Sequence, residues 1–108
     1  MARFHHHVLF RLREGAVVDE AMAWIESSRP SEGLLEWRVA RSLDERKGPV
    51  IVEHAVFVDR AAYDAFVTSP AHRRAGELMS KVADWLVGDF DEPDAGAAQP
   101  SVLATENR

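Results

Sequence analysis

The sequence predicts an α+β fold of element order β-α-β-β-α-β, and three observations carry that reading. The chain opens on a strict alternation of side chains, with His6, Val8, Phe10 and Leu12 on one face and His5, His7, Leu9 and Arg11 on the other. Stripes at helical spacing follow residue 17 and recur after residue 59. Between them, Val50 to Val58 is apolar on both faces, as expected of a strand in the middle of a sheet.

The first strand covers Phe4 to Arg13, and its three consecutive histidines fall within the alternation, so they belong to the strand. Glu14-Gly15 breaks it. Val18, Ala21, Met22 and Ile25 then form a helical stripe that ends in Ser28-Arg29-Pro30-Ser31-Glu32-Gly33. The second strand places Leu35, Trp37 and Val39 on one face. The polar stretch Ser42 to Gly48 connects it to the third strand, where Ile51, Ala55 and Phe57 share a face with Glu53, and Val50, Val52, Val56 and Val58 share the other with His54. Asp59 is placed to cap a short helix carrying Tyr63, Phe66 and Val67. Ser69-Pro70 restarts the chain as N-cap and first helical residue. The stripe of this last helix is Ala71, Ala75, Leu78, Met79, Val82 and Leu86, with Asp84 facing outward, and a final strand spans about Leu86 to Asp91. Residues 1–92 read as one domain. Residues 93–108 are small, polar and aperiodic, and read as a disordered tail.

This order is the ferredoxin-like arrangement, an antiparallel four-stranded sheet with its helices on one face. The other face, carrying Val52, Val56, Val58 and Leu9, is then bare and apolar. A homodimer packing sheet on sheet, a dimeric α/β barrel, would cover it. A chain of 108 residues needs such help, because a domain of this size buries only about 60–70% of its unfolded surface.

Composition excludes several classes. The chain has no cysteine, which removes disulfides, thiolate metal sites and a cysteine nucleophile. A formal charge of −5 argues against nucleic acid as partner. No apolar run has the length of a membrane span, and the first residues lack the pattern of a secretory signal, so a cytoplasmic protein is expected.

Four groups are candidates for chemistry. His6 and Glu53 lie on the helix-covered faces of neighbouring strands, where a carboxylate is costly unless it is paired. A structural hydrogen bond is the plain alternative to a catalytic role. His72 falls in the first turn of the last helix, where the dipole disfavours imidazolium and leaves a neutral ring able to accept a proton. A surface or capping histidine is the alternative. His54 points to the open face with His5 and His7, but no fixed spacing supports a metal there, and a pH-sensitive interface is the better reading. No metal and no cofactor are expected. Phe10, Trp37, Phe57, Phe66, Leu78 and Trp85 are expected to form the core or to line an apolar pocket for a small apolar or aromatic molecule.

His6-His7-Val8-Leu9-Phe10-Arg11-Leu12, Gly33-Leu34-Leu35-Glu36-Trp37-Arg38-Val39, Ser69-Pro70-Ala71-His72 and Asp89-Phe90-Asp91 together resemble the stress-responsive A/B barrel (Dabb) family over residues 4–92. The resemblance implies ferredoxin-like dimers joined sheet to sheet. One member, the plant olivetolic acid cyclase, closes a linear polyketide by intramolecular aldol condensation, and many members have no assigned activity. By that resemblance His72 is the base and His6 a second polar group of the pocket. The family's helix tyrosine corresponds to Phe66 here, which has no hydroxyl, and Tyr63 one turn earlier is the candidate substitute. Glu53 stands where the family is usually apolar. Three readings follow: a polyketide-cyclase-like enzyme, with a cofactor-free monooxygenase of the antibiotic-biosynthesis type as a variant; a non-catalytic ligand-binding or stress-response dimer; or a structural dimer with a filled core.

Overall fold

The computed structural model describes residues 2–93. The elements are β1 (Phe4–Leu12), α1 (Val18–Glu26), β2 (Leu34–Arg41), β3 (Val50–Phe57), α2 (Arg60–Val67), α3 (Pro70–Ser80) and β4 (Ala83–Asp91). The expected tail lies outside the described residues from position 94 onward. The strands form one sheet in the order β2-β3-β1-β4, every neighbouring pair antiparallel. This is the ferredoxin-like fold, its second helical segment divided in two. The break lies at Thr68 and Ser69, because Pro70 has no N–H to continue α2 and is suited to open α3.

All three helices cover one sheet face. Val8, Phe10, Leu12 and Ile51 pack with Ala21 and Ile25 of α1 and Met79 of α3. Phe4, Ala55 and Phe57 pack with Phe66 of α2. Each fully buried side chain of this size contributes about 1.5–3 kcal/mol. Caps fix where two helices begin: the Asp59 carboxylate accepts from the Ala62 N–H at 2.9 Å, and the Ser69 hydroxyl oxygen accepts from the His72 N–H at 3.2 Å. Gly33 is held at φ +73°, and a Cβ there would lie 2.6 Å from Cβ of Ala62, so only glycine lets α2 approach the start of β2. No helix of the described residues is long and apolar enough to cross a membrane.

The structure corrects the sequence reading in three places. β4 begins at Ala83, not near Leu86, and α3 ends at Ser80 before it can carry Val82 or Leu86. β1 offers nine residues of backbone, and β4 pairs along all of them, from Leu12↔Ala83 to Phe4↔Asp91. Asp84 and Leu86 therefore belong to the open sheet face. The second correction is a bulge between Leu34 and Glu36, which places Leu35 outside the core while Trp37 and Val39 remain on the helix side. Third, Val56 is not bare: it is 1% exposed, shielded by its longer register partners His5 and Glu36. Leu9 and Val58 are bare as expected, 48% and 42% exposed, and Leu86 and Phe90 join them at 75% and 50%.

Candidate functional site

Strand pairing brings three ionisable side chains to one place on the helix-covered face. In the register of β1 with β4, His6 stands directly opposite Asp89. In the register of β1 with β3, His6 faces Ala55 and Val8 faces Glu53, so Glu53 is the diagonal neighbour of His6. His6 Nδ1 lies 2.6 Å from Asp89 Oδ1, and His6 Nε2 lies 3.4 Å from Glu53 Oε2. The first contact is a short hydrogen bond. The second is an ion-pair distance without hydrogen-bond geometry, and Glu53 Oε2 is buried with no hydrogen-bond partner among the described residues.

His6 and Glu53 are both buried, the Asp89 side chain on the edge strand is 25% exposed, and the pKa values of the two histidines of the site are displaced in opposite directions. Burial opposes a charge on His6, but the Glu53 and Asp89 carboxylates outweigh it and raise its pKa above the ordinary histidine value. Burial lowers the pKa of His72, the Glu53 carboxylate only partly opposing it and the nearby His6 adding to it. Near neutral pH His6 is held toward imidazolium and His72 toward the free base. The Tyr63 phenol, raised to about 12 first by burial and then by the Asp89 carboxylate, stays protonated. Its ring lies 5.0 Å from that of His6, and the His72 ring meets Phe66 edge-on at 4.6 Å.

These groups line a cavity of about 140 Å³ between the sheet and α3. Its wall includes His6, Glu53, Tyr63 and His72, with apolar Val8, Phe10, Ile25 and Met79. Trp85 and Val87 of the edge strand, both substantially exposed, form its rim. Of the residues expected at a pocket, Phe10 and Trp85 line this cavity, whereas Trp37, Phe57, Phe66 and Leu78 do not. Phe57 and Phe66 are core. Trp37 bridges the two core clusters and donates from Nε1 to Glu26 at 2.5 Å. Two polar residues of the site escaped the sequence reading, besides apolar lining such as Val8, Ile25 and Met79. Asp89 needed the β1–β4 register, although it alternates in phase with Trp85 and Val87. Ser28, whose buried hydroxyl donates to the Ile25 carbonyl at 2.6 Å, ends a helix and carries no signal of its own.

His5, His7 and His54 gather on the open face. The His7 and His54 rings stack at 4.2 Å, and His5 stacks on Phe90 at 4.7 Å. His54 is lowered in pKa, first by burial and then by His7. Among the described residues no three histidine, aspartate or glutamate side chains are arranged to hold a metal ion. A larger groove of about 510 Å³ also runs over this face, past Leu9, Leu86 and the β2–β3 connection. It has no histidine and no buried carboxylate in its wall.

The model of the Stress responsive A/B Barrel Domain family (Dabb) matches residues 4–92. No curated protein matches the sequence. Among solved structures, a dimeric ferredoxin-like protein of unknown function from Jannaschia sp. is 28% identical, with a TM-score of 0.69 over 82% of this chain and 97% of that one. A dimeric ferredoxin-like protein of unknown function from Thermobifida fusca is 16% identical, with a TM-score of 0.74 over 83% and 91%. SnoaB, a cofactor-independent oxygenase from Streptomyces nogalater, is 15% identical, with a TM-score of 0.70 over 88% and 97%. The last two share the fold.

Proposed function

This chain belongs to the stress-responsive A/B barrel domain family, and we propose that its cavity binds a small, largely apolar carbonyl compound and removes a proton next to the carbonyl, as a polyketide-cyclase-like enzyme does. One observation carries the reading: two histidines lining one cavity, His6 from the sheet and His72 from α3, have pKa values displaced in opposite directions, which is how a fold separates a base from a cation at one pH. His72, neutral, takes the proton. Enolate charge then develops on the carbonyl oxygen, and the His6 imidazolium or the protonated Tyr63 phenol stabilises it. Tyr63 supplies the hydroxyl that Phe66 lacks. Aldol closure follows when the carbanion attacks a second carbonyl of the same molecule, and the proton returns from His72 to the new alkoxide. The protein works as a homodimer joined through the open sheet face, leaving the cavity on the far side of each sheet.

Turnover of short β-polyketide analogues by His72→Ala is the test. Loss of about 10²–10⁴-fold is expected for a general base. Undiminished turnover would remove the mechanism. Anaerobic runs separate ring closure from oxygenation, the reaction named for the Streptomyces relative, because only the latter consumes O2. A second reading, binding without conversion, is favoured by Phe66 standing at the position of the family tyrosine. It predicts thermal stabilisation by such compounds with no product in either protein.

A further inference from the structure

Among the described residues two buried side-chain atoms lack a hydrogen-bond partner, His54 Nε2 on the open sheet face and Glu53 Oε2 on the covered one, and only Glu53 lines the cavity. Glu53 is 5% exposed, flanked on β3 by Ile51 and Ala55, which are 0% exposed. Oε2 has no hydrogen-bond partner among the described residues, and the nearest cation, His6 Nε2 at 3.4 Å, lacks hydrogen-bond geometry. His6 is meanwhile committed through Nδ1 to Asp89. A buried carboxylate without donors is expensive, so its hydrogen bonding has to be completed from the one open side, the cavity whose wall it forms. Deepening the carbonyl-compound reading above, and resting on it for the cavity's role, we propose that Glu53 is the specificity-determining residue of this cavity, selecting a compact monocyclic phenol or enol by accepting a hydrogen bond from its hydroxyl.

Size, polarity and charge each narrow the ligand. The cavity of about 140 Å³ is near the volume at which an apolar protein cavity accepts a single benzene ring. Val8, Phe10, Ile25 and Met79 suit an apolar body. What Oε2 lacks is a hydrogen-bond donor, and a neutral O–H supplies one without adding a further charge beside His6, Glu53 and Asp89. The hydroxyl also distinguishes the enol form of a β-dicarbonyl from its ketone, so the residue that binds the ligand selects the tautomer closest to the reactive one.

Phenol and toluene, equal in shape and differing in the donor, are the probes, with binding followed by NMR titration of the intact protein. The wild type should prefer phenol by about tenfold or more, since a buried acceptor left unpaired penalises the analogue without the donor. Glu53→Leu should abolish the preference and bind toluene at least as well as the wild type. Glu53→Gln, which keeps a carbonyl acceptor, should retain part of the preference and carries the test if the leucine variant does not fold. Equal affinities in the wild type, a preference surviving in Glu53→Leu, or binding of neither compound would overturn the assignment. His72→Ala separates this inference from the catalytic one: it should lose turnover and keep the phenol preference. Retained turnover with retained preference refutes the base alone.

Discussion

His6 is held between two carboxylates of different standing. Asp89 is hydrogen-bonded but partly exposed, whereas Glu53 is buried and badly aligned. Glu53 and then Asp89 hold His6 protonated, so removing the Asp89 charge should undo part of that hold. In Asp89→Asn the His6 pKa should fall toward or below about 6.5, the unperturbed histidine value, since burial then meets only one carboxylate. The consequence for stability has a definite sign. A pKa raised in the folded state contributes stability that is complete below the unfolded value and is lost as pH rises through the folded value. The wild type should therefore lose this increment as pH rises above about 6.5, whereas in Asp89→Asn the increment should shrink or vanish, and a folded pKa below the unfolded one would make acidification destabilising. Imidazole NMR titration gives the first quantity, and urea unfolding at a series of pH values gives the second. An unmoved His6 pKa would mean that Glu53 alone sustains the charge. The nearness of His6 and Glu53 was legible in the sequence, because alternation put both on one face of strands that the topology makes neighbours. Asp89 was not, because its place depends on where β4 starts.

Among the elements, α3 matters most to the site because its first turn carries His72. The Ser69 hydroxyl accepts from the N–H of His72 itself, so the cap both starts the helix and fixes the backbone of the proposed base. Ser69→Ala should cost about 1 kcal/mol in urea unfolding, a usual N-cap loss, and Ser69→Thr should recover most of it. If His72 is the base, turnover should follow the same order across the three proteins. Turnover indifferent to the cap would show that packing against Phe66 is enough to place the ring. Both caps were readable from the sequence since a cap is local chemistry: Asp59 and Ser69 each bond an N–H three residues on. The start of β4 and the bulge at Leu35 were not, being decided by pairing with distant strands. Leu86 fits a helical stripe as well as it fits a strand face, and only the nine residues of β1 waiting for a partner choose between them. The same cause explains the pocket residues. Trp37, Phe57 and Phe66 lie on the predicted side of the sheet, but which apolar residue lines a void and which fills the core depends on packing that periodicity does not contain.

On the scale of the whole molecule, the fold has one covered sheet face and one open one. The sequence located that imbalance mainly on β3, with Leu9 of β1. The structure takes Val56 out of it and adds β4, where Leu86 is the register partner of Leu9 and Phe90 stacks on His5. A second copy suits this surface. The face is apolar along one side, and a stacked array of rings, His5, His7, His54 and Phe90, covers another part, both of which pack well against a like surface. Leu86 is 75% exposed and lies on the side of the sheet away from the cavity, so a charge placed there should act on association alone. Leu86→Lys should convert the dimer to monomer in light scattering, because two like charges would meet across or near the two-fold axis inside an apolar contact. Thermal stability should fall and become independent of protein concentration, while that of the wild type should rise with concentration, as dissociation-linked unfolding requires. Phenol binding per chain should survive in the monomer, since no residue of the open face lines the cavity. A Leu86→Lys protein that remains dimeric would place the interface elsewhere, and loss of ligand binding on dissociation would mean that the partner holds the cavity in shape through the sheet.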